Sequence, residues 1–311
     1  MTEDIDYLAY WGLAFAPFAD DLRTETFVPT ASSTLALGRL RYALGSGPGA
    51  AGLYGVAGVG KTRIVRTLLD EFAAAKWLTC YLPSPVATPA DILGALAPGA
   101  QKREYAPMRA LAEFLESRGA LGLPTLLAVD DVQTGRNPDV LETLRTLLNI
   151  SGRNGPALRL LLSGQPEMEN RLRAASRFDS RLAAKAVLDP MTGDETKLYL
   201  LARLKAAESG QGIFTRNAAD RIAELSRGVP RRVNLIAELA LVIGFGLERK
   251  KVDPGVVEMA AADLDLIPGE EAAFFPWPHP APEEDVPAPD DGDGPPAAED
   301  ILAGLSVTEG G

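Results

Sequence analysis

Eight consecutive residues, Gly55-Val56-Ala57-Gly58-Val59-Gly60-Lys61-Thr62, fit the spacing G-x-x-x-x-G-K-[ST], a pattern suited to cradling phosphate. The glycines let the backbone turn its N–H groups inward without side-chain clashes, at the positive end of the helix that follows. Lys61 has the reach for β- and γ-phosphates, the Thr62 hydroxyl suits Mg²⁺, and Arg63 opens the next turn. A second feature supplies carboxylates. Residues 125–129 are a short apolar run after Pro124 and end in Asp130-Asp131, the form of a Walker B strand. Asp130 is expected to hold Mg²⁺ through its water shell, and Asp131 to orient or deprotonate an attacking water.

These groups need elements to position them. Residues 51–54 read as a buried strand and 63–75 as a helix, which gives the loop its strand-loop-helix setting. Residues 139–148 repeat apolar side chains at helical spacing, and 158–162 form another apolar strand, closed by Ser163-Gly164-Gln165-Pro166-Glu167. That strand is expected beside the Walker B strand. Ser163 or Gln165 would then face the γ-phosphate as sensor 1, and the residues do not decide between them. Arg177 and Arg181 flank Phe178-Asp179-Ser180. The order of segments resembles an ATPase module of AAA+ type, and that resemblance implies an arginine finger near this place, reaching a neighbouring subunit's nucleotide; a guanidinium suits it, being always charged and binding phosphate oxygens in pairs. Gly228-Val-Pro-Arg-Arg-Val-Asn234 separates two helical stretches, 218–226 and 233–246. The Gly-x-Pro turn halts one helix and starts the next, aiming Arg231 or Arg232 back at the nucleotide as sensor 2, and the resemblance to AAA+ ATPases favours Arg231.

Composition agrees with an α/β unit and a smaller second core in 311 residues. A single cysteine, Cys80, excludes an internal disulfide framework and reads as a core or strand residue; with His279 as the one histidine, no His/Cys zinc site is expected. The start of the chain has neither a basic region nor a long apolar stretch, and the apolar run 235–247 contains Glu238 and is too short to span a bilayer. A cytoplasmic protein without direct membrane insertion is expected. The net charge of −11 is local: twelve of the 42 acidic residues lie from Asp265 onward with no Lys or Arg, leaving 30 acidic against 31 basic elsewhere. The stretch 268–298, rich in Pro, Asp, Glu and Ala, has a composition that favours disorder. Phe274, Phe275 and Trp277, and further on Ile301, Leu302 and Leu305, are either docking motifs for a protein partner or incidental.

In combination the motifs resemble the ATPase domain of the general-secretion-pathway protein A family, the ExeA-type AAA+ ATPases, close to transposition ATPases of the TniB and TnsC type. The resemblance runs from Tyr10-Trp-Gly-Leu-Ala-Phe-Ala-Pro-Phe18 through the phosphate loop, Asp130-Asp-Val-Gln133, Leu141-Glu-Thr-Leu-Arg145 with Asn149, and Ser163-Gly-Gln-Pro-Glu167. It continues with Arg181, Glu195-Thr and Tyr199, and ends at Gly228-Val-Pro-Arg-Arg-Val-Asn234, covering about residues 7 to 265. It implies a P-loop fold of AAA+ type: a parallel sheet with helices on both faces, then a small helical lid. The expected divisions are a leader with an aromatic segment and first helix over 1–45, a nucleotide-binding domain over 46–190, the lid over 191–265 and the acidic tail over 266–311. Residues Trp11 to Phe18 pack either near the adenine or in the core. The family usually reads Asp-Glu-Ala-Gln where this chain has Asp130-Asp-Val-Gln133, so the second carboxylate is one methylene shorter. Secretion members continue into a membrane helix and a peptidoglycan-binding region, and neither is expected here.

The resemblance implies an ATPase with Mg²⁺, forming homo-oligomers and serving as a motor or switch subunit, for instance in a secretion or pilus assembly. The alternatives are a DNA-binding regulator using a basic track, with Arg171, Arg173, Arg203, Lys205 and Arg249-Lys-Lys251 as candidates, and a pseudo-ATPase scaffold.

Overall fold

The computed structural model describes residues 7–19, 27–46, 49–83, 89–96, 107–134, 139–152, 155–174, 178, 181–209 and 212–266, all within one compact unit. The Pro-rich tail and its aromatic and leucine clusters lie outside the described residues. Five strands form a parallel sheet: β1 (Ala50–Tyr54), β2 (Leu78–Leu82), β3 (Thr125–Val129), β6 (Leu158–Gly164) and β7 (Leu182–Val187), in the order β2-β3-β6-β1-β7. Two-residue strands β4 (Ser151–Gly152) and β5 (Gly155–Pro156) make a separate antiparallel pair.

The central strands are buried throughout and mostly apolar because both faces of the sheet are covered. Alternate residues go to opposite sides, as the pleat requires. Leu127, Val129, Leu158, Leu160 and Leu162 share one core. Its helices are α4 (Pro89–Leu96), α5 (Pro107–Ala120), α6 (Asp139–Leu147) and α7 (Glu167–Ala174). Ala51, Leu53, Leu126, Ala128 and Leu161 face the other core with α2 (Ala31–Ser46) and α3 (Lys61–Ala74). The expected neighbour of the Walker B strand is confirmed: β6 pairs with β3, register Val129↔Leu162. It runs through Ser163 and Gly164, so the turn begins at Gln165.

A third core lies in the helical C-terminal part, formed by α8 (Gly193–Ala206), α9 (Arg216–Ser226), α10 (Pro230–Gly246) and α11 (Pro254–Asp263). Helix α8 starts in a capping box between Thr192 and Glu195, and Arg227 in the left-handed region ends α9. Helix α10 opens on Pro230, so Arg231 already lies in its first turn. The apolar run falls in this 17-residue helix up to its C-cap, Leu247. Among the described residues no helix is long and apolar enough to cross a membrane.

The N-terminal segment joins this third core. Helix α1 (Tyr7–Trp11) and Leu13 and Phe18 pack with the C-terminal helices. Trp11 Nε1 donates to Leu241 O at 2.9 Å, Arg203 donates to Pro17 O and Ala19 O, and Glu238 accepts from Phe18 N–H and the Tyr7 hydroxyl. The core alternative for Trp11 to Phe18 is thus the one realised.

Candidate nucleotide site

The loop between β1 and α3 depends on its glycines. A Cβ on Gly55 would lie 2.7 Å from Leu188 O, and one on Gly58 would lie 2.9 Å from Arg231 Cβ. Gly58 and Gly60 have φ of +77° and +105°, where an L side chain is strained. Gly60 caps α3 without a side-chain bond, so the helix turns its first-turn N–H groups toward the loop, an arrangement that favours an anion.

Lys61 is buried, with Nζ donating to Gly55 O at 2.8 Å and Val56 O at 3.0 Å. Burial holds its pKa below the ordinary lysine value, opposed by the carboxylates of Asp130, Asp131 and Glu167. Thr62 Oγ1 donates to Asp130 Oδ2 at 2.7 Å. The Tyr81 hydroxyl donates to the same oxygen at 3.1 Å, and Asp131 N–H donates to Asp130 Oδ1 at 3.0 Å. Asp130 is 3% exposed, so phosphate loop and strand tip meet at one enclosed carboxylate. A hydroxyl and a carboxylate in contact beside a glycine cradle are a donor set of the kind Mg²⁺ takes with phosphate oxygens, and these residues fit that ion.

Asp131 is exposed, at φ +48°, and its Oδ1 accepts from Gln133 Nε2 at 3.0 Å. It lines a cavity of about 550 Å³ together with loop residues 57–63, Gln165 and Arg231, and Phe27, Val28 and Met191. That size suits an organic ligand. Gly55 and Val56 are not on the wall; their carbonyls hold Lys61.

The sensor candidates separate. Gln165 is on the wall, whereas Ser163 is fully buried off it, its Oγ without a hydrogen-bond partner. Arg231 is on the wall, and its N–H donates to Gly58 O at 3.2 Å; Arg232 is not on it. Arg181 is exposed just before β7 and away from the cavity, while Arg177 lies outside the described residues.

Several contributors had no role in the sequence reading. Tyr81 reaches Asp130 because β2 lies beside β3, and the Arg66 guanidinium stacks 3.9 Å from its ring centre. Tyr199 and Asn234 line the wall and are joined by a 2.9 Å bond from the Tyr199 hydroxyl to Asn234 Oδ1. Arg203, counted with the basic track, is 5% exposed and held by Pro17 and Ala19 carbonyls. Arg171 donates to Gln133 O and Arg173 pairs with Glu169. Lys205 and Arg249-Lys-Lys251 remain exposed.

Residues 44–172 match a family model described as AAA domain. The chain is 30% identical over 272 residues to general secretion pathway protein A of Aeromonas hydrophila, an alignment covering 85% of this chain and 49% of the relative. The chain therefore spans about half the length of that curated relative. Among solved structures, Cdc6p from Pyrobaculum aerophilum superposes with a TM-score of 0.64 at 21% identity, covering 79% of this chain and 70% of that one. The Aeropyrum pernix ORC2 protein, solved as ADPNP-ADP complexes, gives 0.61 at 18%, with the same 79% and 70% coverage. The Thermotoga maritima RuvB Holliday junction branch migration motor gives 0.51 at 17%, covering 79% and 73%. At these identities the likeness speaks for the fold. A phosphate loop, a carboxylate-tipped neighbour strand and a helical C-terminal part stand in one unit, residues 44–172 match an AAA domain, and the fold is that of P-loop AAA+ proteins.

Proposed function

We propose that this protein binds Mg-ATP and hydrolyses it to ADP and phosphate, using the cycle as a switch or motor. The observation that carries this reading is the 2.7 Å contact between Thr62 and Asp130 at the mouth of the glycine loop. Two segments 68 positions apart thereby present a hydroxyl, a carboxylate and Lys61 in one crevice. On entry of the triphosphate, Lys61 would exchange loop carbonyls for phosphate oxygens, while backbone N–H groups of residues 58–62 take the rest. Thr62 and Asp130 would hold the cation there, and its positive charge would offset that of the phosphates. Asp131 would orient a water and take its proton, with Gln165 fixing the water's approach. Arg231, in the first turn of α10, would draw the lid toward the γ-phosphate; its loss on hydrolysis would release the lid. An exposed Arg181 is suited to a neighbour's site in an assembly, as is Arg177 by its position in the sequence.

The matched AAA domain and the relation to general secretion pathway protein A support an assembly of this type, with a secretion or pilus-type complex as the setting. The DNA-regulator alternative is weakened by the internal bonds of Arg171, Arg173 and Arg203. Lys61→Ala is expected to abolish nucleotide binding in an equilibrium titration. Asp131→Asn is expected to keep binding and lose about 10²-fold or more in phosphate release. Turnover by Asp131→Asn at the parent rate would falsify the assignment of the base, and no turnover in the parent would leave a nucleotide-binding scaffold.

A further inference from the structure

We propose that Gln133 is a positioning residue that holds the Asp131 carboxylate and the Gln165 turn together; the inference rests on reading Asp131 as the group that activates water. The Gln133 amide sits between the two. Its Nε2 donates to Asp131 Oδ1 at 3.0 Å, and its Oε1 accepts from the Gln165 backbone N–H at 3.0 Å. The backbone N–H can only donate, so it fixes the carbonyl end of the amide toward the turn and leaves the NH₂ end for the carboxylate. An amide alone among side chains of this length both donates and accepts in this way.

The surrounding backbone is shaped to bring the amide there. The Asp131 carbonyl accepts from Thr134 N and Thr134 Oγ1, both at 2.9 Å, which closes the short 3₁₀ turn Val132–Thr134. Arg171 on α7 donates to the Gln133 carbonyl at 3.3 Å. On the other side, a Cβ on Gly164 would lie 2.5 Å from Gln133 Oε1, so only glycine at the end of β6 leaves room for the side chain. Asp131 needs such a holder: it is exposed, and its short side chain leaves the carboxylate free to rotate unless something fixes it. Tied through Gln133, the base of one strand and the sensor turn of the next keep a constant separation.

The test uses the full chain with Mg-ATP. Gln133→Leu removes both bonds at similar bulk, and its kcat is expected to fall on the order of 10²-fold while nucleotide affinity stays within about twofold. Gln133→Glu keeps the acceptor for Gln165 but sets two carboxylates face to face. This variant keeps the turn but loses the hold on the carboxylate, so its kcat is expected to fall as in Gln133→Leu with nucleotide affinity again within about twofold. In the double variant Asp131→Asn with Gln133→Leu, the second change is expected to add nothing to the first, because it acts through the carboxylate already lost. Parent-like kcat in Gln133→Leu, a parallel loss of nucleotide affinity, or multiplicative losses in the double variant would each overturn the proposal. Should the parent hydrolyse no ATP, the ATPase reading fails alone, and amide hydrogen exchange at Gln165 decides this one. Faster exchange in Gln133→Leu with parent-like exchange in Gln133→Glu upholds the link, and unchanged exchange in Gln133→Leu refutes it.

Discussion

Asp130 is held from three directions, and one of its partners carries a measurable pH signature. Burial and the neighbouring Asp130 carboxylate push the Tyr81 hydroxyl up to about 12 from 10.0. The folded state therefore keeps this proton after the unfolded chain has lost it. Its contribution to stability is full below pH 10 and is lost as pH rises through about 12. Tyr81→Phe is expected to show a smaller drop in urea midpoint between pH 9 and pH 11 than the parent. Next to it in β2, burial pushes the Cys80 thiol up to about 11, so labelling by a thiol reagent at neutral pH is expected to be slow until the chain is unfolded. The places of Lys61, Thr62 and Asp130 in the fold were legible because each sits at the end of an element whose type the apolar pattern declares. Tyr81 and Gln133 were not. Their parts depend on which strands are neighbours and how a turn folds over, and neither is written in local spacing.

At the level of elements, two glycines show how position decides cost. Gly228 precedes α10 at φ +70°, and a Cβ there would lie 1.8 Å from Met191 O. Its carbonyl accepts from Met191 N at 2.9 Å, tying the exit of the sheet to the turn before α10. Gly228→Ala is expected to cost about 1–3 kcal/mol from backbone strain alone, with the clash added, seen as a lowered thermal midpoint. Gly38 is exposed inside α2 with nothing within 4 Å of a Cβ, so Gly38→Ala is expected to stabilise by about 0.5–1 kcal/mol. The strands β1 and β3 and the helices α3, α6 and α9 were legible within a residue or two, whereas β2 and β7 carried no reading of their own. The exception of consequence is β6: apolar side chains mark it to Leu162, but pairing with β1 carries it through Ser163 and Gly164. A small polar residue inside a fully buried strand gives no apolar signal, so the apolar pattern alone ends the strand at Leu162.

At the scale of the molecule, the first described segment folds against the last helices. Trp11 is 8% exposed among residues such as Leu200, Ile236 and Leu241. Trp11→Ala is expected to cost about 3–5 kcal/mol, read as earlier unfolding of the C-terminal helices, with nucleotide affinity at low temperature retained. The buried role of Arg203 belongs to the same arrangement. Its partner Pro17 lies 186 positions away, a relation that charge and spacing near residue 203 do not reveal. Between sheet and lid, the bond from Arg231 N–H to Gly58 O belongs to the main chain, not to any side chain. Truncation of Arg231 to alanine would silence its guanidinium yet leave that seam intact, so an alanine survey would underrate how firmly the two halves are sewn, and only a residue lacking an N–H, proline, would unpick the stitch.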